Sequence, residues 1–260
     1  MHLSWLSLCS VFMGLPAALS QLSPSLAKAG VYLGQASGPE VQGLPFGIAA
    51  LDQLLPDGGL LRGGVLELSS PAASGLATSL ALAAVRAVQC EPKSALMTPL
   101  VPWCAFVDAS GSLYAPGVAA SGVKLDRLLV VRPPLEALGR VALKLAESGV
   151  FSLVVVDTVG TIGKTLDGAS HDFGRIVRRL SMAVDGSSRS VLLLTDSKEP
   201  RALPLPVAQR WLLARPAAGK LVVRVSKDRR GRVTSPTVIP WAEKSLPPEE
   251  NQREPARKFA

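Results

Sequence analysis

From residue 65 onwards, short apolar runs alternate along the chain with stretches in which apolar residues recur at helical spacing. The short runs are rich in Val and Leu and lack a polar–apolar alternation, which is typical of parallel strands buried on both faces. The alternation predicts an α/β fold with a mainly parallel twisted sheet flanked by helices. The predicted strands are 65–68, 103–107, 128–131, 153–156, 191–194 and 221–225, and the predicted helices are 76–88, 135–148 and 171–184.

The apolar pattern places one core domain at residues 41–242, between two segments of different composition. Residues 243–260 are rich in Pro, Glu, Lys and Asn, which predicts a flexible tail. Residues 1–21 imitate a secretory signal, but they lack basic residues, and Ser, Pro and Gly interrupt the apolar stretch. We therefore expect residues 1–40 to form a helix or arm that docks on a neighbouring surface. We expect a cytoplasmic protein without membrane contact, with secretion as the alternative.

The net charge of +8 is unevenly distributed, because residues 1–90 hold three basic and four acidic side chains. The basic surplus of the later part favours an acidic partner, either nucleic acid or an acidic protein face. The alternative is a solvated basic surface that maintains solubility. The three cysteines have no paired spacing and the two histidines lie far apart, so the sequence supports neither a disulfide framework nor a zinc site. Cys90 and Cys104 lie in apolar runs, and we expect both thiols to be buried.

The loop after the first predicted strand is where a parallel α/β sheet usually binds phosphate. A phosphate-binding loop requires Gly at both ends, then Lys, then Ser or Thr. Only Gly75 matches, because Ser70 replaces the first Gly, Leu76 the Lys, and Ala77 the hydroxyl residue that holds magnesium. The alternative is an ordinary strand–helix turn. The candidate residues of this degenerate loop are Ser70, Ser74, Gly75, Leu76, Ala77 and Thr78.

Asp157 ends the apolar run 153–156, as does the metal-side aspartate of ATPases with such sheets. Any buried strand can end in Asp, so this signal is weak alone. The nearby Gly163, Lys164 and Thr165 imitate part of a phosphate loop, but Thr158 occupies the position of the required first Gly. We expect this second segment not to contact a nucleotide.

These segments, in this order, resemble the RecA family and, more closely, its shorter relative ImuA, over about residues 44–232. ImuA belongs to a damage-induced mutagenesis cassette of bacteria. The segment most like ImuA is 113–133. The resembling segments are Gly47 to Asp52, Gly58 to Leu60, Gly63 to Leu68, Cys104 to Ala109, Leu113 to Pro116, Leu125 to Leu129, Val154 to Val159 and Lys227 to Gly231.

The resemblance implies that three catalytic positions have changed, at Leu76, Ala77 and Ser110. Ser110 stands where RecA has the glutamate that activates the attacking water, and a serine hydroxyl is a poor base. The two loops that reach DNA in RecA follow Asp157 and Thr195, and both look short here. We therefore expect a domain that does not hydrolyse ATP and holds no cofactor, with retained ATP binding as the alternative.

Two basic segments are candidates for contact with a partner or with DNA. The predicted helix 171–184 carries a basic face, and the run 224–232 contains five positive residues and one acid. In RecA-like proteins the matching turn reaches a neighbouring protomer. The alternative is an exposed turn whose charges keep an edge strand soluble. The candidate contact residues are Arg175, Arg178, Arg179, Lys227, Arg229, Arg230 and Arg232.

The resemblance favours a non-catalytic accessory protein of DNA-damage-induced translesion synthesis. Its implied partners are RecA, an ImuB-like protein and an error-prone polymerase, with weak non-specific binding to DNA. One alternative is a weak ATP-dependent DNA-binding RecA paralogue. Another is a cell-division inhibitor like SulA.

Overall fold

The computed structural model describes residues 43–91, 101–159, 170–198 and 204–241. The predicted arm 1–40, the tail 243–260 and the segment 163–165 lie outside these residues. The helices are α1 (Ala49–Leu54), α2 (Leu76–Gln89), α3 (Ala115–Ala120), α4 (Leu138–Glu147) and α5 (Ser170–Val184). The strands are β1 (Gly64–Ser70), β2 (Trp103–Asp108), β3 (Leu128–Val131), β4 (Phe151–Asp157), β5 (Ser190–Asp196), β6 (Gln209–Ala214), β7 (Lys220–Asp228) and β8 (Thr237–Pro240).

The described strands form one sheet in the order β3-β2-β4-β5-β1-β6-β7-β8. The strands from β3 to β6 pair in parallel, whereas β7 and β8 add an antiparallel end. Helices cover both faces of the parallel part, because its strands are apolar on both sides. The predicted fold class, a mainly parallel sheet flanked by helices, is therefore confirmed.

Two apolar clusters lie on opposite faces of the sheet. The first packs α2 and the segment before β1 against the sheet, and it includes Trp211 and Val223 from the antiparallel end. The second packs α4 and α5 against the other face, and it includes Val154, Val156 and Leu193. Successive residues of each strand therefore serve different clusters, which follows from the two-residue period of a β-strand.

Several sequence-based predictions are wrong, and each error has a physical reason. Strand β3 is not buried on both faces, because it lies at the edge of the sheet. Strands β6 and β8 were missed because that end of the sheet alternates buried and exposed residues. Helices α1 and α3 escape a periodicity search because each has only six residues. Cys90 is exposed because it directly follows the end of α2, whereas Cys104 is buried as expected.

Candidate functional site

The loop between β1 and α2 is closed by hydrogen bonds among its own residues. The Ser74 hydroxyl donates to the Pro71 carbonyl oxygen at 2.6 Å, and the Leu76 amide donates weakly to Ser74 Oγ at 3.4 Å. Gly75 has a φ of 61°, a left-handed conformation that favours glycine, and α2 begins at the next residue. Gly75 therefore makes the turn into the helix, and Ser74 braces it.

Leu76 and Ala77 point into the protein core. Both side chains are buried, and both belong to the apolar cluster beneath the sheet on the α2 side. Thr78 is half-buried on the same first turn of α2. The first two residues of α2 therefore contribute packing, and neither presents a charge or a hydroxyl to the loop above it.

Asp157 lies at the end of β4, directly across from Asp108 at the end of β2. Both residues are buried, and the Val159 amide donates to Asp157 Oδ1 at 2.9 Å. Burial raises the pKa of Asp157 to about 6, and the nearby Asp108 charge adds to this increase. This carboxyl is therefore half protonated near pH 6 and mostly ionised at pH 7, well above the range in which an ordinary aspartate titrates.

Ser110 is an exposed residue whose hydroxyl forms a hydrogen bond with Asp108. Its hydroxyl donates to Asp108 Oδ1 at 3.0 Å, while the amides of Ser112 and Leu113 donate to the same carboxyl, each at 3.0 Å. The Arg132 guanidinium adds an ion pair at 3.4 Å. Asp108 is thus the organising residue of the loop after β2. The sequence does not predict this role of Asp108, because many buried strands end in Asp.

The basic face predicted on α5 is only partly available to a partner. Arg178 is exposed, while Arg179 lies 3.4 Å from Glu147 on the neighbouring helix α4. Arg175 is exposed and also makes an interaction within the chain. The structure therefore places the three residues on one helix but assigns two of them internal contacts.

The basic turn after β7 divides into exposed and internal residues. Arg229 and Arg230 are exposed at the turn. Arg232 instead donates to Asp57 Oδ1 at 2.9 Å, to Asp228 Oδ2 at 3.1 Å and to the Pro56 carbonyl oxygen at 2.8 Å. Its guanidinium therefore ties the turn to the segment before β1, and this internal role was not foreseen from the sequence.

Lys227 also turns inward, with Nζ 3.4 Å from the Leu205 carbonyl oxygen. Burial lowers the pKa of Lys227, and the adjacent Arg210 charge lowers it further. Arg210 in turn donates to the buried Glu67 at 2.6 Å. The Arg230 guanidinium also lies 3.5 Å from Asp57 Oδ1, so three of the four basic residues predicted in this run make contacts within the chain.

A groove of about 470 Å³ opens beside the edge strand β3. Leu129 and Val130 on that strand are each 39% exposed, and Tyr114 in the preceding loop is 65% exposed. The groove was not predicted, although it lies within the segment 113–133. Its lining is apolar except for one guanidinium, and comprises Leu113, Ala115, Val118, Leu125, Leu128, Val130 and Arg132.

The RecA N-terminal domain family model matches residues 14–184 of this chain. The chain is 30% identical over 198 residues to Protein RecA of Frankia alni, an alignment that covers 70% of this chain and 54% of that protein. It is 34% identical over 181 residues to Protein RecA of Streptococcus thermophilus, which covers 67% and 45% of the two chains. The chain belongs to the RecA family.

The chain spans about half the length of the RecA proteins it matches. Over the residues that the structure describes, no helix is long and apolar enough to cross a membrane. The same residues contain no group of three potential metal-ligating side chains of the His, Cys, Asp or Glu type. Family membership and fold are therefore shown, and the activity of this chain is argued below from its own residues.

Proposed function

We propose that this RecA-family chain is a non-catalytic accessory protein of DNA-damage-induced translesion synthesis. It acts by binding RecA, together with an ImuB-like protein and an error-prone polymerase. The observation that carries the proposal is the burial of Leu76 at the position where a phosphate-binding loop has its lysine. The residue at the position of the phosphate-binding lysine is therefore packed in the core and does not face a nucleotide.

The residues of the loop do not fit a magnesium nucleotide. Leu76 supplies no charge to phosphate, and Ala77 supplies no hydroxyl to the metal ion. Ser110 replaces the glutamate expected for activating water, and its hydroxyl is occupied by Asp108. Loss of a single electrostatic contact at an active site commonly costs about 10²–10³ in rate. Three such changes favour a domain that binds partner proteins and does not hydrolyse ATP.

The open edge at β3 supports a role in docking. A sheet edge offers unpaired backbone groups, and proteins normally protect it with charge, proline or a bulge. Leu128–Val131 contains none of these, and two of its side chains are substantially exposed beside the groove. Such a surface suits a partner that supplies both a strand and apolar side chains.

The charges that flank β3 favour a different protein over a second copy of this chain. Arg127 precedes the strand and Arg132 follows it. If two copies paired antiparallel through β3, Arg127 of one copy would lie opposite Arg132 of the other, and like charges in that position are destabilising. RecA is a partner that shares the fold without sharing this sequence.

The proposal is tested by measuring binding of purified RecA to the full chain. We expect Val130→Glu to weaken binding by at least about tenfold, because it places a charge in the apolar groove. Val233→Glu is the matched control, since Val233 is 62% exposed in the turn between β7 and β8. Circular dichroism verifies that both variants are folded.

Two results together would refute the proposal. One is a complete lack of RecA binding by the unaltered chain. The other is normal damage-induced mutagenesis in a strain that lacks the gene. If RecA binds equally well to both variants, the docking surface lies elsewhere.

A further inference from the structure

Over the residues that the structure describes, the helix layer that contains α4 and α5 stops part-way across the sheet. These helices pack on β2, β4, β5 and β1. On the same face, side chains of the antiparallel end are exposed, except Leu212 and Val222, which are half-buried. We call this surface the open face, and its residues are Leu212, Ala214, Lys220, Val222, Arg224, Val238 and Pro240.

The assignment of these residues to one face follows from register and burial. Trp211, Leu213 and Val223 are buried in the cluster on the α2 side, so their strand neighbours point to the opposite side. Leu212 pairs with Arg224, and Ala214 pairs with Val222, which in turn pairs with Val238. Cross-strand partners share a face. The open face therefore spans β6, β7 and β8.

The open face has an apolar centre and a basic rim. Ala214, Val222 and Val238 form a row across the three strands, and Val238 is 57% exposed. Arg224 and Lys220 lie on either side of this row, and both are exposed. An apolar row bordered by cations fits a ligand with the reverse pattern, apolar in the middle and acidic at its edges.

The side of the open face nearest β1 is also basic. Glu67 is fully buried there, and it accepts from Arg210 Nε at 2.6 Å and from Thr195 Oγ1 at 2.9 Å. Arg210 Nη2 is buried and has no hydrogen-bond partner among the described residues, and Lys227 lies beside the same pair. Two cations thus accompany one buried carboxylate, so this side also favours an acidic ligand.

We propose that the open face binds an acidic amphipathic helix of a partner protein. Such a helix would extend the α4–α5 layer from the parallel strands over β6, β7 and β8. A second copy of the chain does not fit, because Arg224 and Lys220 would meet the same cations. Single-stranded nucleic acid is disfavoured, because the seven residues of the face include no aromatic ring for stacking bases.

The test uses a fluorescein-labelled amphipathic peptide of about five helical turns, with Leu on one side and Glu on the other. Its binding to the full chain is followed by fluorescence anisotropy. We expect saturable binding that weakens with added salt, and no binding of a peptide with Lys in place of Glu. An unlabelled oligo-dT competitor shows whether nucleic acid occupies the same surface.

Two variants on the open face and two matched controls locate the binding. We expect Arg224→Glu and Val238→Asp each to weaken binding by about tenfold. Arg140→Glu makes the same charge change at an exposed position on α4, and Val233→Asp makes the same polar change in the β7–β8 turn. We expect both controls to stay within about twofold of the unaltered chain.

Three results would overturn the inference. One is no saturable binding of the acidic peptide, and another is equal weakening of binding by the open-face and control variants. The third is displacement of the labelled peptide by oligo-dT at a lower concentration than the unlabelled acidic peptide requires. The outcome is separable from that of the RecA experiment, because β3 and β8 are at opposite ends of the sheet. Val130→Glu should leave binding of the acidic peptide unchanged, and Arg224→Glu should leave binding of RecA at the groove beside β3 unchanged.

Discussion

Asp108 and Asp157 face each other across two parallel strands, β2 and β4, and both are buried at the edge where those strands end. Their environments differ. Asp108 accepts two backbone amides and the Ser110 hydroxyl, and it pairs with Arg132. For Asp157 the one backbone donor does not offset burial, and its pKa rises from 3.8 to about 6. Asp108 therefore organises a loop, whereas burial destabilises the charged form of Asp157.

Replacing Asp157 with Asn should stabilise the protein above pH 7. Because the pKa of Asp157 is higher in the native than in the unfolded state, the native state binds the proton more tightly. Its contribution is favourable below about pH 4 and is lost as the pH rises through about 6. We expect Asp157→Asn to raise the free energy of unfolding by about 2 kcal/mol at pH 7.5.

Thermal or urea unfolding at several pH values measures this effect. The difference between Asp157→Asn and the unaltered chain should disappear near pH 4 and reach its full size above pH 7. Asp185→Asn changes an exposed carboxylate on the surface and serves as the control. A destabilised Asp157→Asn at pH 7.5 would show that the charged carboxylate has a favourable partner.

Truncating Leu76 should destabilise the protein strongly, because its side chain is buried in the core. We expect Leu76→Ala to lower the free energy of unfolding by about 2–5 kcal/mol, the usual range for a buried leucine. Thr78→Ala, on the same turn of α2 but only half-buried, should change stability by less than about 1 kcal/mol. Urea denaturation compares the two. Equal and small effects would mean that residue 76 faces the loop.

Removing Arg232 should destabilise the protein more than removing Arg229. Arg232→Ala removes the guanidinium that contacts both buried carboxylates, so Asp228 loses its ion pair and Asp57 keeps only the longer one to Arg230, at 3.5 Å. Burial alone raises the pKa of Asp228, but hydrogen bonds from Arg232, Gln209 and the backbone outweigh it and hold the value below its usual range. Because Arg232 is partly exposed, we expect a loss of about 2 kcal/mol, less than for a fully buried pair.

Arg229→Ala provides the comparison for this cluster, because Arg229 is exposed in the same turn. We expect it to change the free energy of unfolding by less than about 0.5 kcal/mol. Equilibrium unfolding at neutral pH tests the pair. If Arg232→Ala is as mild as Arg229→Ala, the remaining donors satisfy the two carboxylates: Gln209, which donates to them at 2.8 and 2.9 Å, and Arg230.

The sequence predicts the parallel part of the fold well, because strands such as β4 and β5 are buried on both faces and read as unbroken apolar runs. It predicts the antiparallel end poorly. There, one face is covered and the other is open, so β6 reads Gln-Arg-Trp-Leu-Leu-Ala without a clear run. The edge position of β3 depends on strand order, which the local pattern does not encode.

The candidate loop could be located from the sequence, but the direction of its side chains could not. Motif comparison shows that Leu76 replaces a lysine, and only packing shows that this leucine belongs to the core. The same holds for Arg232, because two of its three internal acceptors, the Pro56 carbonyl oxygen and Asp57, come from a distant segment of the chain. Contacts between residues about 175 positions apart are set by the tertiary fold.

Calorimetric titration of the full chain with ATP and Mg²⁺ tests the central claim most directly. The buried Leu76 and the absent loop hydroxyl at Ala77 lead us to expect no saturable heat up to millimolar nucleotide. RecA under the same conditions is the positive control. Saturable binding of ATP that is lost in Asp157→Ala would contradict the non-catalytic role and identify a nucleotide-dependent protein.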